Sequence, residues 1–177
     1  MLTEMKSLKL ISAVLLLTIS QIAFGQKPVE SLDKWKYLIG EWVGEDIGEP
    51  GQNKGSFTFQ TDLDGKIIIR KNHSFSPATK DSPSSVHNDI LIIYSDNSGI
   101  DQKAIYFDNE GHVINYQVIF KGNTLVLTSN ATANNPRFRL SYIPIDNNTV
   151  NVTFEMSSSQ NPEEFKMYLS GKVRKIK

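Results

Sequence analysis

The 177-residue chain contains no cysteine. This absence excludes disulfide bonds, thiolate nucleophiles and thiolate metal ligands. It also excludes attachment of a lipid through an N-terminal cysteine. A chain without thiols is suited to an oxidising compartment, where a free thiol is a liability.

The chain also lacks a net charge, because its 19 lysines and arginines balance its 19 aspartates and glutamates. The one basic run, at 172–177, is interpreted as a solvent-exposed strand end. We therefore predict no nucleic-acid partner.

The chain also lacks the motifs of common enzyme classes, namely a Gly-x-Ser-x-Gly elbow, a glycine-rich phosphate loop and a His-Glu-x-x-His pair. We predict no cofactor, and the sequence favours a protein that is not an enzyme. One alternative stays open, in which a buried Glu155 near Arg139 or His73 performs acid–base chemistry. The same residues are also compatible with a structural ion pair, which we favour because a buried charge needs a partner.

The N-terminal residues predict export. Lys6 and Lys9 precede an apolar stretch at 10–19, and the small residues of Ala23-Phe24-Gly25 follow. This is the pattern of a secretory signal peptide cleaved after Gly25. The alternative, a membrane anchor, would need about 20 apolar residues. We expect a periplasmic or secreted protein without stable membrane insertion after cleavage.

The remaining chain, 26–177, predicts a single all-β domain. A short helix over 32–39, capped by Ser31 and ended by Gly40, precedes a series of alternating strands. The predicted strands span 41–47, 55–61, 66–75, 89–94, 102–107, 112–120, 124–129, 137–145, 150–156 and 164–174. Tight turns join most of them, and the longest irregular stretch, 76–85, is the predicted mouth loop. This pattern favours a ten-stranded up-and-down antiparallel β-barrel over a two-sheet sandwich, whose connections are longer.

The segment Leu38-Ile-Gly-Glu-Trp-Val-Gly44 resembles the Gly-x-Trp signature of the lipocalin and calycin barrels. It more closely resembles the small barrels of uncharacterised function that are related to nitrobindin. The resemblance implies that Trp42 closes one end of the barrel and that an arginine of the last strand, here Arg174, packs across it. Nitrobindin-like barrels bind haem through a histidine near the C-terminal end. This chain has no histidine after His112, so the resemblance does not extend to haem.

A barrel of this size is either filled by side chains or encloses one small ligand. We predict a site for a small apolar or amphipathic molecule, because aromatic and polar residues recur along the strands. The candidate residues are Arg70, His73, Tyr106, His112, Tyr116, Arg139, Tyr142 and Glu155. The three histidines lack the spacing of metal ligands, so we predict no metal site.

Three functions remain open at this point. The leading hypothesis is a ligand-binding barrel, and the second is a barrel enzyme that acts on a lipid-like molecule. The third is a filled barrel that serves as an interaction module. The sequence does not indicate an oligomeric state.

Overall fold

A computed structural model describes residues 32–45, 54–95, 101–132 and 134–177. This part of the chain contains one short 3₁₀ helix, Leu32–Trp35, and ten strands. The strands are β1 (Gly40–Gly44), β2 (Lys54–Asp62), β3 (Ile67–Ser76), β4 (Ser85–Ser95), β5 (Gln102–Asp108), β6 (Val113–Lys121), β7 (Thr124–Ser129), β8 (Arg137–Pro144), β9 (Thr149–Ser157) and β10 (Lys166–Lys175). The predicted signal peptide lies outside the described residues. No helix within the described part is long and apolar enough to cross a bilayer.

The ten strands form one closed antiparallel barrel. Each strand pairs with its neighbours in sequence, and β1 closes the barrel by pairing with β10. Trp42 of β1 lies opposite Phe57 of β2 on one side and Lys175 of β10 on the other. The predicted ten-stranded up-and-down barrel of the calycin type is therefore confirmed, and the two-sheet sandwich is excluded.

The helix before β1 is shorter than predicted. After the single 3₁₀ turn, the backbone N–H groups of Leu38 and Ile39 both donate to the carbonyl of Trp35, at 2.8 and 3.1 Å. Gly40 then enters β1 with a φ of +133°, which residues with a side chain rarely adopt. A Cβ at this position would lie 2.2 Å from the carbonyl oxygen of Lys177. Gly40 is therefore required both by its backbone conformation and by the close approach of the C-terminal residue.

The helix lies at one end of the barrel, which we call the helix end. Trp35 is fully buried there and contacts Phe59 and Phe120, with ring centroids 6.3 and 5.2 Å apart. The Trp42 indole N–H donates to the carbonyl of Leu38 at 2.8 Å. These aromatic side chains are buried together at the helix end.

The partner of Trp42 on the last strand differs from the prediction. Arg174 pairs with Val43 and is exposed, so its predicted role in closing the barrel was wrong. Lys175 takes that place, with its Nζ 5.4 Å from the centroid of the Trp42 ring and 3.1 Å from the carbonyl of Tyr37, to which it donates. Successive residues of a strand face opposite sides of the sheet, so a shift of one position exchanges the two roles.

Two strands differ from their predicted pattern. Strand β4 begins at Ser85, opposite Ser76, so the predicted mouth loop is confined to 77–84. In β10 the pairing with β9 is irregular between Met167 and Leu169. The extra residue of such a bulge interrupts the alternation, and Met167 comes to lie opposite Glu155 on the outer face.

The end of the barrel opposite the helix is called the far end here. The loops 77–84, 109–112 and 158–165 border it, because β3, β5 and β9 end there. No described helix covers this end.

Candidate ligand-binding site inside the barrel

The inner face of the barrel changes character along the barrel axis. Near the helix end it carries aromatic side chains, among them Trp42 and Phe59. Towards the far end, the inward positions of three neighbouring strands carry polar groups. These are Arg70 and Asn72 on β3, His87 and Asp89 on β4, and Tyr106 and Asp108 on β5. Their two-residue spacing along each strand places them on one face, and the pairing of the strands brings them together.

An ion pair lies at the centre of this group. An Nη atom of Arg70 is 3.2 and 3.3 Å from the two carboxylate oxygens of Asp89, and both side chains are buried. The Asn72 amide also donates to Asp89, at 2.9 Å. Burial opposes the charge on Arg70, but the oxygens of Tyr142 and Asp89 outweigh this effect and raise the pKa of Arg70 above its ordinary value. The guanidinium is therefore charged inside the barrel.

Three tyrosines surround this ion pair on the inner face. Tyr142 and Tyr116 are buried, and the ring of Tyr116 is edge-on to that of Tyr106, with centroids 6.5 Å apart. Burial raises the pKa of Tyr142 to about 12, and burial raises the pKa values of Tyr106 and Tyr116 further. The three phenols stay protonated at neutral pH, and those of Tyr116 and Tyr142 can donate hydrogen bonds to a ligand.

Two polar atoms in this group make no hydrogen bond among the described residues, Arg70 Nε and Asp89 Oδ1, and the Asp89 oxygen has only its 3.2 Å ion-pair contact with the guanidinium. The Nε of Arg70 is buried and donates to no acceptor there. A buried N–H of a charged group without an acceptor is costly, and native proteins usually satisfy such groups with protein, water or ligand atoms. The guanidinium therefore offers a donor to an acceptor from outside the protein.

The far end of the group is more accessible. The His87 side chain is 33% exposed, and its Nε2 lies 3.0 Å from the Tyr106 hydroxyl. That hydroxyl donates to the Asp108 carboxylate at 3.2 Å. Burial favours the neutral form of Asp108, but hydrogen bonds from the backbone and side chain of His112 outweigh it and lower the pKa of Asp108. Asp108 is accordingly ionised at neutral pH.

The structure brings together only part of the predicted site. Arg70, Tyr106, Tyr116 and Tyr142 lie on the inner face, and His112 lies at the far end beside Asp108. His73 lies on the exposed side of β3, where its Nδ1 is 2.7 Å from the side-chain oxygen of Asn88. His73 does not join the inner group.

Arg139 and Glu155 also lie on the outer face, opposite each other on β8 and β9. The guanidinium donates twice to the carboxylate, both at 2.7 Å, and packs 4.2 Å from the centroid of the Phe165 ring. The hydrogen bonds from Arg139 lower the pKa of Glu155. This geometry is that of an ion pair on the surface of the barrel, and neither residue faces the interior where an enclosed acid–base pair would have to lie.

The predicted set omits four members of the inner group, namely Asn72, His87, Asp89 and Asp108. Two residues after Arg70 comes Asn72 on β3, and two residues after Tyr106 comes Asp108 on β5, so alternation along each strand would have found both. The β4 pair requires the register as well, because only the pairing of Asn72 with Asp89 shows which alternate set of β4 faces inward.

One cluster in the described part of the chain has the spacing of metal ligands. Single donor atoms of His87, Asp108 and Glu110 all lie within 4.8 Å of one another at the far end.

Comparison with known proteins leaves the family open. No protein-family profile matches the chain, and no curated protein matches it in sequence. Among solved structures, the chain is similar to an S-type phycobiliprotein lyase from Guillardia theta, with a TM-score of 0.47 and 12% identity over 87% of this chain and 96% of that chain. At this level the likeness carries no inference about function, and the calycin-like barrel follows from the strand order of the chain itself.

Proposed function

We propose that this protein is an exported barrel that binds a small amphipathic molecule. The head group of the ligand accepts hydrogen bonds from Arg70 and the buried tyrosines, and its apolar part lies against the apolar side chains of β6, β8 and β9. The observation that carries the proposal is the buried Arg70 Nε, which has no acceptor among the described residues. A carboxylate or carbonyl oxygen of a ligand would satisfy it.

Apolar side chains beside the polar group support an amphipathic ligand. The rings of Phe138 and Phe154 stack on the inner face at a centroid distance of 5.8 Å, and both are only partly buried. Ile114 and Met156 are also partly buried at the same end. Side chains of this kind, next to a few convergent polar groups, are typical of a small-molecule site.

The direction of entry follows from the two ends of the barrel. The helix end is filled by Trp35, Leu38 and Trp42, each of which is almost wholly buried. The far end carries the partly exposed His87 and no described helix. We infer that the ligand enters between the loops of the far end.

Ligand binding is tested by native mass spectrometry of the protein purified from its own host. The proposal expects a co-purified small molecule that is released on unfolding. The decisive variant is the double substitution Arg70→Met with Asp89→Asn, which removes both buried charges together and so leaves neither unpaired. It should lose the co-purified mass, because the head group loses its donor.

A matched control exists on the outer face. Arg139→Met with Glu155→Gln also removes one arginine and one carboxylate, and this variant should retain the ligand. An unliganded wild-type protein that also fails to bind a fluorescent fatty-acid probe contradicts the proposal and favours a filled barrel. Equal ligand retention in both double variants contradicts the role of Arg70.

Export and the relation to the nitrobindin-like barrels belong to the same proposal. The N-terminal pattern and the Gly40-Glu41-Trp42 segment support them. N-terminal sequencing of the protein from its host should begin at Gln26, whereas a start at Met1 in the cytoplasm contradicts export.

A further inference from the structure

The far end holds a cluster of donor groups at the edge of the candidate ligand site, beyond the Arg70 and tyrosine donors that we assign to the ligand. His87 lies on β4, Asp108 ends β5, and Glu110 lies in the turn that follows. Donor atoms of the three residues lie within 4.8 Å of one another. We propose that they bind one divalent transition-metal ion of the Zn²⁺ type. Imidazole nitrogen and carboxylate oxygen are the donors that such an ion takes in cysteine-free sites.

The Asp108 carboxylate is held in place before any ion binds. Its Oδ1 accepts the backbone N–H groups of Glu110 and His112, at 3.0 and 2.9 Å. Its Oδ2 lies 2.8 Å from the His112 ring and accepts the Tyr106 hydroxyl at 3.2 Å. Each oxygen therefore has two contacts, which fix the orientation of the carboxylate, and an ion bound between Oδ2 and His112 would replace the contact between them.

The His87 ring lies between two carboxylates. Its Nδ1 is 3.0 Å from the nearer Glu110 oxygen, and its Nε2 is 3.4 Å from an Asp89 oxygen. A neutral imidazole has one N–H, so it can donate to only one of these two acceptors. An ion bound to Nδ1 would also contact Glu110, and the proton on Nε2 would then lie near the Tyr106 hydroxyl, at 3.0 Å, and near Asp89, at 3.4 Å. A histidine ligand whose other nitrogen donates to a carboxylate is the usual arrangement around bound zinc.

His112 can complete the coordination. Its Nδ1 lies 4.0 Å from the second Glu110 oxygen and beside Asp108, and its side chain is 61% exposed. Zinc–ligand bonds of about 2.0–2.1 Å place tetrahedral donors roughly 3.3–3.5 Å apart. The separations of 2.8, 3.0 and 4.0 Å in this cluster lie on either side of that value. The donor atoms of His87, Asp108 and Glu110 lie within 4.8 Å of one another, so side-chain rotation has to close the widest gap when the ion binds.

The local charge also favours a divalent cation. Three carboxylates, those of Asp89, Asp108 and Glu110, face one guanidinium, that of Arg70. With the histidines neutral, the count is one positive against three negative charges, which leaves two negative charges. One divalent ion neutralises them in a partly buried place where unbalanced charge is costly.

The test is isothermal titration calorimetry with Zn²⁺ as the only added ligand. The protein is expressed without a polyhistidine tag and is used in the form that its host produces. We expect one ion per chain. A parallel titration with Co²⁺ should show the visible absorption of a tetrahedral site. His87→Ala and Glu110→Gln should each weaken binding by at least about 10-fold, because loss of a residue that merely supports a metal ligand already costs about 10–100-fold.

His73→Ala is the matched control, because His73 lies on the neighbouring strand but faces away from the cluster. It should change the Zn²⁺ affinity by less than the other two variants do. Glu110 lies in an exposed turn, so Glu110→Gln keeps the test decisive even if His87→Ala fails to fold. Absence of Zn²⁺ binding, or equal affinity in the wild type and the Glu110→Gln variant, overturns the proposal. A loss in His73→Ala as large as in His87→Ala overturns it too.

Discussion

The buried pair of Arg70 and Asp89 leads to a quantitative prediction about the interior of the barrel. The Arg70 and Asp89 side chains are 7% and 3% exposed, and the nearest charged atoms are 3.2 Å apart. At an effective dielectric constant of about 20, Coulomb attraction at this distance is worth about 5 kcal/mol. Desolvation of two ions costs several kcal/mol each, so the intact pair contributes little net stability.

Removal of one partner is a different matter, because it leaves a buried charge without compensation. We expect Asp89→Asn and Arg70→Met each to lower the free energy of unfolding by about 3–5 kcal/mol. The double variant should lie within about 2 kcal/mol of the wild type, since no charge is then left unpaired. The coupling energy of this cycle is therefore expected to exceed about 3 kcal/mol.

The outer pair provides the comparison. The Arg139 and Glu155 side chains are 32% and 16% exposed, even though their 2.7 Å contact is shorter than the inner one. Solvent screens this pair, so its coupling energy should be only about 0.2–1 kcal/mol. If distance alone set the coupling energy, the outer pair would have the larger value. We expect the inner pair to have the larger value because it is more deeply buried.

Urea unfolding followed by tryptophan fluorescence measures both cycles. Trp35 and Trp42 are both buried at the helix end, so their emission reports the loss of the core. A coupling energy below about 1 kcal/mol for the inner pair would refute the reasoning. It would mean that water solvates both charges inside the barrel.

Three further perturbations should have measurable effects on stability in the same assay. Trp42→Phe removes the hydrogen bond to the Leu38 carbonyl, which contributes about 1 kcal/mol to the free energy of unfolding. The smaller ring also leaves a cavity that costs roughly another 1 kcal/mol. A total loss below about 0.5 kcal/mol would contradict a closing role for Trp42. Gly40→Ala should lower the free energy of unfolding by about 1–3 kcal/mol, and by more than Gly122→Ala does. The reason is that a Cβ at Gly40 would clash with the backbone oxygen of Lys177, whereas a Cβ at Gly122 has no neighbour within 4 Å. Equal costs would show that backbone conformation alone matters. The lowered pKa of Glu155 stabilises the fold at neutral pH, and this contribution is lost as the pH falls through the folded-state pKa. The gap in unfolding free energy between the wild type and Glu155→Gln should therefore close in acid, and a constant gap would contradict the ion pair.

Much of the fold could be predicted because its signals are local. Apolar alternation at Val150, Val152 and Phe154 predicts a strand, and the turn residues between strands predict where each one ends. The predicted β7, 124–129, agrees with the structure at both ends. The start of β4 could not be predicted, since Val86 is the single apolar residue of 85–88 and this stretch pairs with β3 only in the folded sheet.

The candidate site was less predictable because its residues meet across strands. Arg70 and Tyr106 were found through their residue types, whereas Asp89 and His87 join them only through the register of β4. Arg139 and Glu155 were predicted as site residues on the same grounds, yet they face the surface. Residue type indicates what a side chain can do, and the face of the strand decides whether it can do so inside the barrel.

The sequence by itself determined the number and order of the strands and the turns between them. The tertiary structure alone decided that Lys175, and not Arg174, packs on Trp42, and that His87, Asp108 and Glu110 converge at the far end. The physical reason is the two-residue period of a strand. Strand formation depends on neighbouring residues, but a one-residue change in register or a single bulge reverses which side chains face inward, and only strand pairing sets that register.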